Sequence, residues 1–316
     1  MGGHAWVSAI FRHGCIGVDV FFVLSGFVIA STTAKGAYSH EYVLKFIMAR
    51  MSRIYVPYWI ALPIALVVTA VGGGLQNISV IESVFLTTTD QRLLANPPTW
   101  FLVHLIFYYL IYAFSLLFSE STRERMYIVL VVSGALSAFF NPVGVFIAQP
   151  QILEFFAGVL VYRRLDRLSV HPFGLTVMII ATIGLFYAGV STNAEVKPTR
   201  VLLYGGASLF LVASFWLFES RGRLKFPRWI ATVSESAYML FLIHVPMISV
   251  FYISGFRDYL SGLPAINRDA GFLVWLLLIV IMSIYIHRMA EVPFGKFVSR
   301  RLSVLGVQKV GPMPLS

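Results

Sequence analysis

The chain has 316 residues, of which 58% are apolar and only 12% charged; 24 Lys and Arg stand against 14 Asp and Glu, for a formal charge of +10. Soluble domains carry about 25% charged residues, so this composition, with a mean hydropathy of +0.81, excludes a water-soluble globular protein and describes a polytopic membrane protein. The single cysteine, Cys15, excludes an intrachain disulfide and a cysteine-pair metal site.

In chain order, residues 1–11 are apolar but too short to cross, and they read as the tail of a first span that is truncated at Met1. They lack the charged n-region and cleavage site of a signal peptide. Apolar stretches near the spanning length of roughly 20 residues follow at 18–33, 55–73, 100–118, 126–141, 144–162, 173–191, 201–218, 231–253 and 270–287. The expectation is an all-α, polytopic transmembrane helix bundle of about nine to ten spans. Residues 1–302 form a single membrane-embedded domain, and 303–316 a short cytoplasmic tail. If the loop at 34–54 is cytoplasmic, 18 of the 24 basic residues fall on the same side. That bias is the positive-inside rule, so the basic excess reflects topology rather than a nucleic-acid surface, and it places the C-terminus in the cytoplasm.

Ionisable groups within or beside spans are the informative residues of such a chain. The first region is Gly14–Ile29, an apolar helical run with Asp19 at its mouth and His4 and His13 upstream. A bare Asp costs about 3 kcal/mol at the bilayer centre and less toward its edge. Two readings stand: a functional acid, or an interfacial cap for a helix that starts at Val20. A histidine can exchange a proton near neutrality or make a structural hydrogen bond. His4, fifteen residues before Asp19, is far enough away to lie on a neighbouring helix.

The second region, Arg50-Met-Ser-Arg53-Ile-Tyr-Val-Pro57-Tyr58-Trp59, puts two guanidinium groups three residues apart. On a helix they share a face and can grip one polyanion, since the guanidinium fork suits phosphate. Alternatively they anchor topology at lipid headgroups, with Tyr55, Tyr58 and Trp59 as an interfacial belt. The third region opens on Pro97-Pro98-Thr99, with Trp100 at the interface, His104 about one turn deeper, and Tyr108 and Tyr109 beyond. An aromatic stripe of this kind suits packing as well as a site. The fourth is Glu154 within Leu153-Glu154-Phe155-Phe156-Ala157-Gly158, joined later by Glu235 and His244. A buried Glu needs a partner or a proton, so Glu154 is expected to face the bundle interior. His244 lies nine residues beyond Glu235, on a different helix face. No metal-binding spacing, Walker loop or Gly-x-Ser-x-Gly elbow occurs, so a site would be built between helices and no metal is expected.

Taken in order, Gly17-Val18-Asp19-Val20-Phe21-Phe22-Val23-Leu24-Ser25-Gly26-Phe27, Arg50-x-x-Arg53-Ile54-x-x-Pro57-Tyr58-Trp59, Trp100 to Tyr109, Leu153-Glu154-Phe155-x-x-Gly158, Ser236-Ala237-Tyr238 through His244 and Glu291-Val292-Pro293 resemble the acyltransferase-3 family of integral membrane acyltransferases. That family modifies sugars of exopolysaccharide, lipopolysaccharide O-antigen and related glycans, and the spans look most like its exopolysaccharide-production branch. The resemblance implies acetyl-CoA, or another acyl-CoA, as cytoplasmic donor and a carbohydrate hydroxyl as acceptor. It implies His4 as general base, Asp19 as its positioning partner, and Arg50 and Arg53 as ligands of the CoA phosphates. Trp100, His104, Tyr109, Glu154 and His244 are further candidates. The implied location is the bacterial inner membrane, among membrane lipids and without nucleic acid.

Two departures from the family pattern mark this chain. The basic residue expected eleven positions before the histidine would precede Met1, and Leu105 and Ile106 stand where many members carry a glutamate pair. Two other readings compete: a proton-coupled transporter using Glu154, Asp19 and His104, whose inverted repeats are not visible, and an inactive scaffold subunit of a polysaccharide assembly complex.

Overall fold

A computed structural model describes residues 16–33, 39–140, 149–165, 172–192, 199–220 and 227–304, with the backbone alone at 172–173, 265–268 and 302–304. His4, His13 and Cys15 lie outside the described residues. Among those described there is no strand. The helices are α1 Ile16–Thr33, α2 His40–Val71, α3 Val80–Phe85, α4 Trp100–Ser115, α5 Glu120–Phe140, α6 Gln151–Leu165, α7 Pro172–Ser191, α8 Gly206–Glu219, α9 Arg228–Glu235, α10 Ala237–Ile253, α11 Phe256–Ser261, α12 Ala265–Ile286 and α13 Val292–Val304. Two π-helical turns, Val201–Gly205 and His287–Glu291, lead into α8 and α13.

Helices fall in all nine apolar stretches, of which 144–162 is described only from residue 149. Six are long and apolar enough to cross a membrane by themselves, and α9 with α10, bent by 63° at Ser236, makes a seventh. The other two differ for identifiable reasons. Helix α5 has 21 residues but opens on Glu120, Arg123, Glu124 and Arg125, and α6 has 15 residues, short of the spanning length.

Among the described residues the chain forms two compact units: those up to residue 40 and between 111 and 220 make the first, and 41–110 with 227–304 the second. In the first unit α1 packs most closely on α6. Gly26 of α1 lies against the Phe155 carbonyl, and Gly158 of α6 lies against the Val23 carbonyl, so close that a Cβ would stand 1.9 and 2.2 Å from those oxygens. Small residues of this kind let membrane helices approach backbone to backbone. Around this contact Phe27 meets Tyr162 and Trp216 edge-on, and Tyr127 stacks between Tyr112 and Phe156. Arg163 and Arg164 at the end of α6 pair with Glu120 and Glu124 at the start of α5.

The second unit satisfies its irregular backbone with side chains. The carbonyls at the end of α3 have no continuing helix to bond. Three residues of α2 supply donors in succession: Tyr58 to Ser83, Trp59 to Val84 at 3.0 Å, and Tyr55 to Phe85 at 2.8 Å. Their polar tips therefore close a neighbouring helix end. In α10, Pro246 has no N–H for the Leu242 carbonyl four residues back. The buried Asn96 donates to that carbonyl from Nδ2 at 2.7 Å.

Candidate functional site

In the first unit the α1 helix already includes Asp19, which rules out the reading of that residue as a cap before Val20. The residue is 1% exposed. Its carboxylate accepts two hydrogen bonds from Arg200, Nε to Oδ1 at 3.3 Å and Nη2 to Oδ2 at 3.0 Å. Glu154, fully buried on α6, stands within electrostatic reach of both residues, with its carboxyl beside that of Asp19. The bundle interior expected for Glu154 is where it lies. Gly205, the last residue of the first π-turn, faces the Glu154 carboxyl, and a Cβ there would be 3.0 Å from Oε1. Arg200 immediately precedes that turn. A π-turn is a frequent mark of functional sites.

In the second unit Arg50 is 3% exposed, and its guanidinium lies over the rings of Phe46 and Tyr109, with centroid distances of 5.2 and 5.9 Å. Contacts of this kind contribute about 0.5–2 kcal/mol each. Arg53, one turn on, is exposed. The two arginines share a stretch of helix but not an environment. His104 is 4% exposed, and its Nδ1 donates to the Trp100 carbonyl at 3.2 Å, with the Trp100 indole edge-on to the ring. The half-buried His244 donates from Nδ1 to the Phe241 carbonyl at 2.6 Å. A proton fixed on Nδ1 leaves Nε2 as the accepting nitrogen of the ring. Phe101 and Phe241 meet at 4.7 Å, which joins the stretch after Trp100 to the stretch before His244. Glu235 ends α9 as an exposed residue, apart from His244 on the far side of the 63° bend.

Tyr238 donates to the Ile54 carbonyl at 3.3 Å, beside Arg53, and lies within electrostatic reach of Tyr109, Glu291 and Tyr58. Glu291 in turn accepts from Nδ1 of His287 at 2.9 Å across the second π-turn. Arginine, tyrosine, histidine and glutamate residues from distant parts of the sequence thus gather in the second unit. Among the described residues no group of three or more His, Cys, Asp and Glu side chains has a geometry that could hold a metal ion.

The acyltransferase-3 family model, described as an acyltransferase domain, matches residues 2–287. The chain belongs to this family. It is 26% identical over 270 residues to the exopolysaccharide production protein ExoZ of Rhizobium meliloti (strain 1021), a match that covers 81% of this chain and 83% of that protein. No solved structure matches. The family assignment and the apolar helices together make the chain an integral membrane acyltransferase.

For this acyltransferase, three functional-looking residues are not singled out by the sequence. Arg200 figures there only as a minority charge, with nothing in its neighbourhood to tie it to a position 181 residues earlier. Asn96 looks like loop, although the Pro246 that orphans its partner carbonyl is plain in the sequence. His287 does carry a signal: its spacing of four from Glu291 is the helical pairing distance.

Proposed function

We propose that this acyltransferase moves an acyl group, most simply acetyl, from cytoplasmic acyl-CoA to a hydroxyl of a cell-surface or exported carbohydrate, in a bacterial inner membrane with the C-terminus in the cytoplasm. The observation that carries the donor half is Arg50. A guanidinium withdrawn from water and held on two aromatic faces is a pre-set cation, and Arg53 adds an exposed one a turn away. Arginine forks suit phosphate oxygens, and CoA carries several. The acceptor half is supported by the relative's name, which refers to exopolysaccharide production.

In the reaction the acceptor hydroxyl attacks the thioester carbonyl. The C–O bond forms as the C–S bond breaks, the hydroxyl proton passes to His4, and the departing CoA sulfur takes up a proton. General-base assistance of this kind contributes about 10²- to 10⁴-fold. Asp19 positions the base, and Arg50 and Arg53 hold the donor phosphates. Membranes containing the chain, given radiolabelled acetyl-CoA and a candidate exported glycan, are expected to label the glycan. No transfer from the full-length chain, or undiminished transfer by His4→Ala, overturns the proposal.

A further inference from the structure

We propose that Arg200 is a positioning residue for acyl transfer, acting through Asp19: its guanidinium fixes the Asp19 carboxylate by two hydrogen bonds beside the buried Glu154. The inference rests on the acyl-transfer reading and adds to it a residue that neither the sequence motifs nor the family resemblance points to. Asp19 can aim a partner only if its own carboxylate cannot rotate. A single hydrogen bond leaves that rotation open, and the fork of a guanidinium closes it.

A purely structural ion pair is the competing account, and three observations weigh against it. The Asp19 carboxylate is withdrawn from water while the Arg200 side chain stays 19% exposed, and the cost of desolvating the carboxylate offsets much of what the pair contributes to stability. A stability device has no use for a second carboxyl beside the first, yet Glu154 is fully buried there, close enough for its carboxyl to interact with that of Asp19. The local backbone is also built around this group. The π-turn Val201–Gly205 begins directly after Arg200, and it ends on a glycine that leaves room for the Glu154 carboxyl.

The test measures acetyl transfer by full-length chain in membranes, with kcat and donor KM determined separately and melting in detergent followed in parallel. Arg200→Gln is expected to lower kcat by roughly 10²-fold, the scale of loss from small misplacement of a reacting group, with donor KM changed less than about 2-fold. Arg200→Lys keeps the charge but not the fork and should recover only part of that loss. The exchanged pair, Asp19→Arg with Arg200→Asp, is expected to restore the melting temperature without restoring turnover.

Wild-type kcat in Arg200→Gln, or turnover regained together with stability in the exchanged pair, would overturn the positioning role while leaving the acyl-transfer reading intact. Wild-type membranes that transfer nothing would remove that reading, and this inference with it.

Discussion

Gly26 and Gly158 stand in a reciprocal relationship: each presents a bare Cα to a backbone carbonyl of the other's helix, the first to Phe155 and the second to Val23. Two of the stretches through which the sequence resembles its family, Gly17 to Phe27 and Leu153 to Gly158, are therefore the two sides of one interface. The acids ride on it, Asp19 seven residues before Gly26 and Glu154 four residues before Gly158. Part of what looks like a signature for chemistry is thus a packing requirement, and the two acids are carried on the helices it brings together.

Alanine at either glycine puts a methyl group well inside contact distance of a backbone oxygen. Backbone cannot swing aside as a side chain can, so Gly26→Ala and Gly158→Ala should each lose about 1–3 kcal/mol or more, the range for overpacked cores. Gly184, exposed on α7 with nothing within 4 Å of where a methyl group would stand, is the control. Gly184→Ala should be neutral or gain about 0.5–1 kcal/mol, as glycine is a poor helix interior residue. Thermal melts in detergent separate the two behaviours, and a Gly26→Ala variant as stable as wild type would contradict the close approach.

The helices are legible in the sequence because apolar length is a local, additive signal. The pairings within the units are not, because they depend on which helices meet. Nothing around Asp19 points to Arg200, and nothing around Tyr55, Tyr58 and Trp59 points to three orphan carbonyls in α3. Membrane rules read those aromatics as a belt, and the same amphipathic rings that suit an interface can also close a helix end. Arg50 and Arg53 are legible as a pair. Their different burial follows only from the aromatic rings that α2 and α4 bring to Arg50.

The Asn96–Leu242 bond depends on a proline, which makes it testable by a cycle. With Pro246 in place, Asn96→Ala leaves a buried carbonyl without its 2.7 Å donor. The expected cost is about 1–3 kcal/mol, that of an unsatisfied buried polar group. With Pro246→Ala, residue 246 regains an N–H that can serve Leu242, so the same Asn96→Ala change should cost markedly less. Melting temperatures of the four proteins give the coupling, and equal costs in both backgrounds would show that Asn96 is not substituting for the missing amide.

The loop before α4 offers a pH prediction of known sign. Asp90 is held by the Arg92 side chain and amide N–H, which draws its carboxyl down to about 2. A depressed carboxyl contributes stability above its unfolded value, near 4, and loses it as pH falls through about 2. The difference in melting temperature between wild type and Asp90→Asn should thus be constant from about pH 8 to about 5 and shrink below about 4. The pair is open to solvent, so the difference is small throughout. A difference that grew on acidification would reverse the assignment.

Arg50 and Arg53 should answer to different perturbations, because one is buried on aromatic rings and the other is exposed. If both hold donor phosphates, Arg53→Gln raises donor KM at low salt, and the effect fades at about 1 M salt, where the Debye length is near 3 Å. Arg50→Gln raises KM about tenfold or more, the scale of one hydrogen bond to a charged group, and much less of that effect is screened. It also lowers the melting temperature, because the Phe46 and Tyr109 rings lose their cation. Arg50→Lys should rescue poorly, since an ammonium has neither the flat face that stacks on those rings nor the fork that grips phosphate. Acetyl-CoA titrations at two ionic strengths decide the matter: identical salt dependence for the two glutamine variants would mean that the arginines act from the same surroundings, against the burial that distinguishes them.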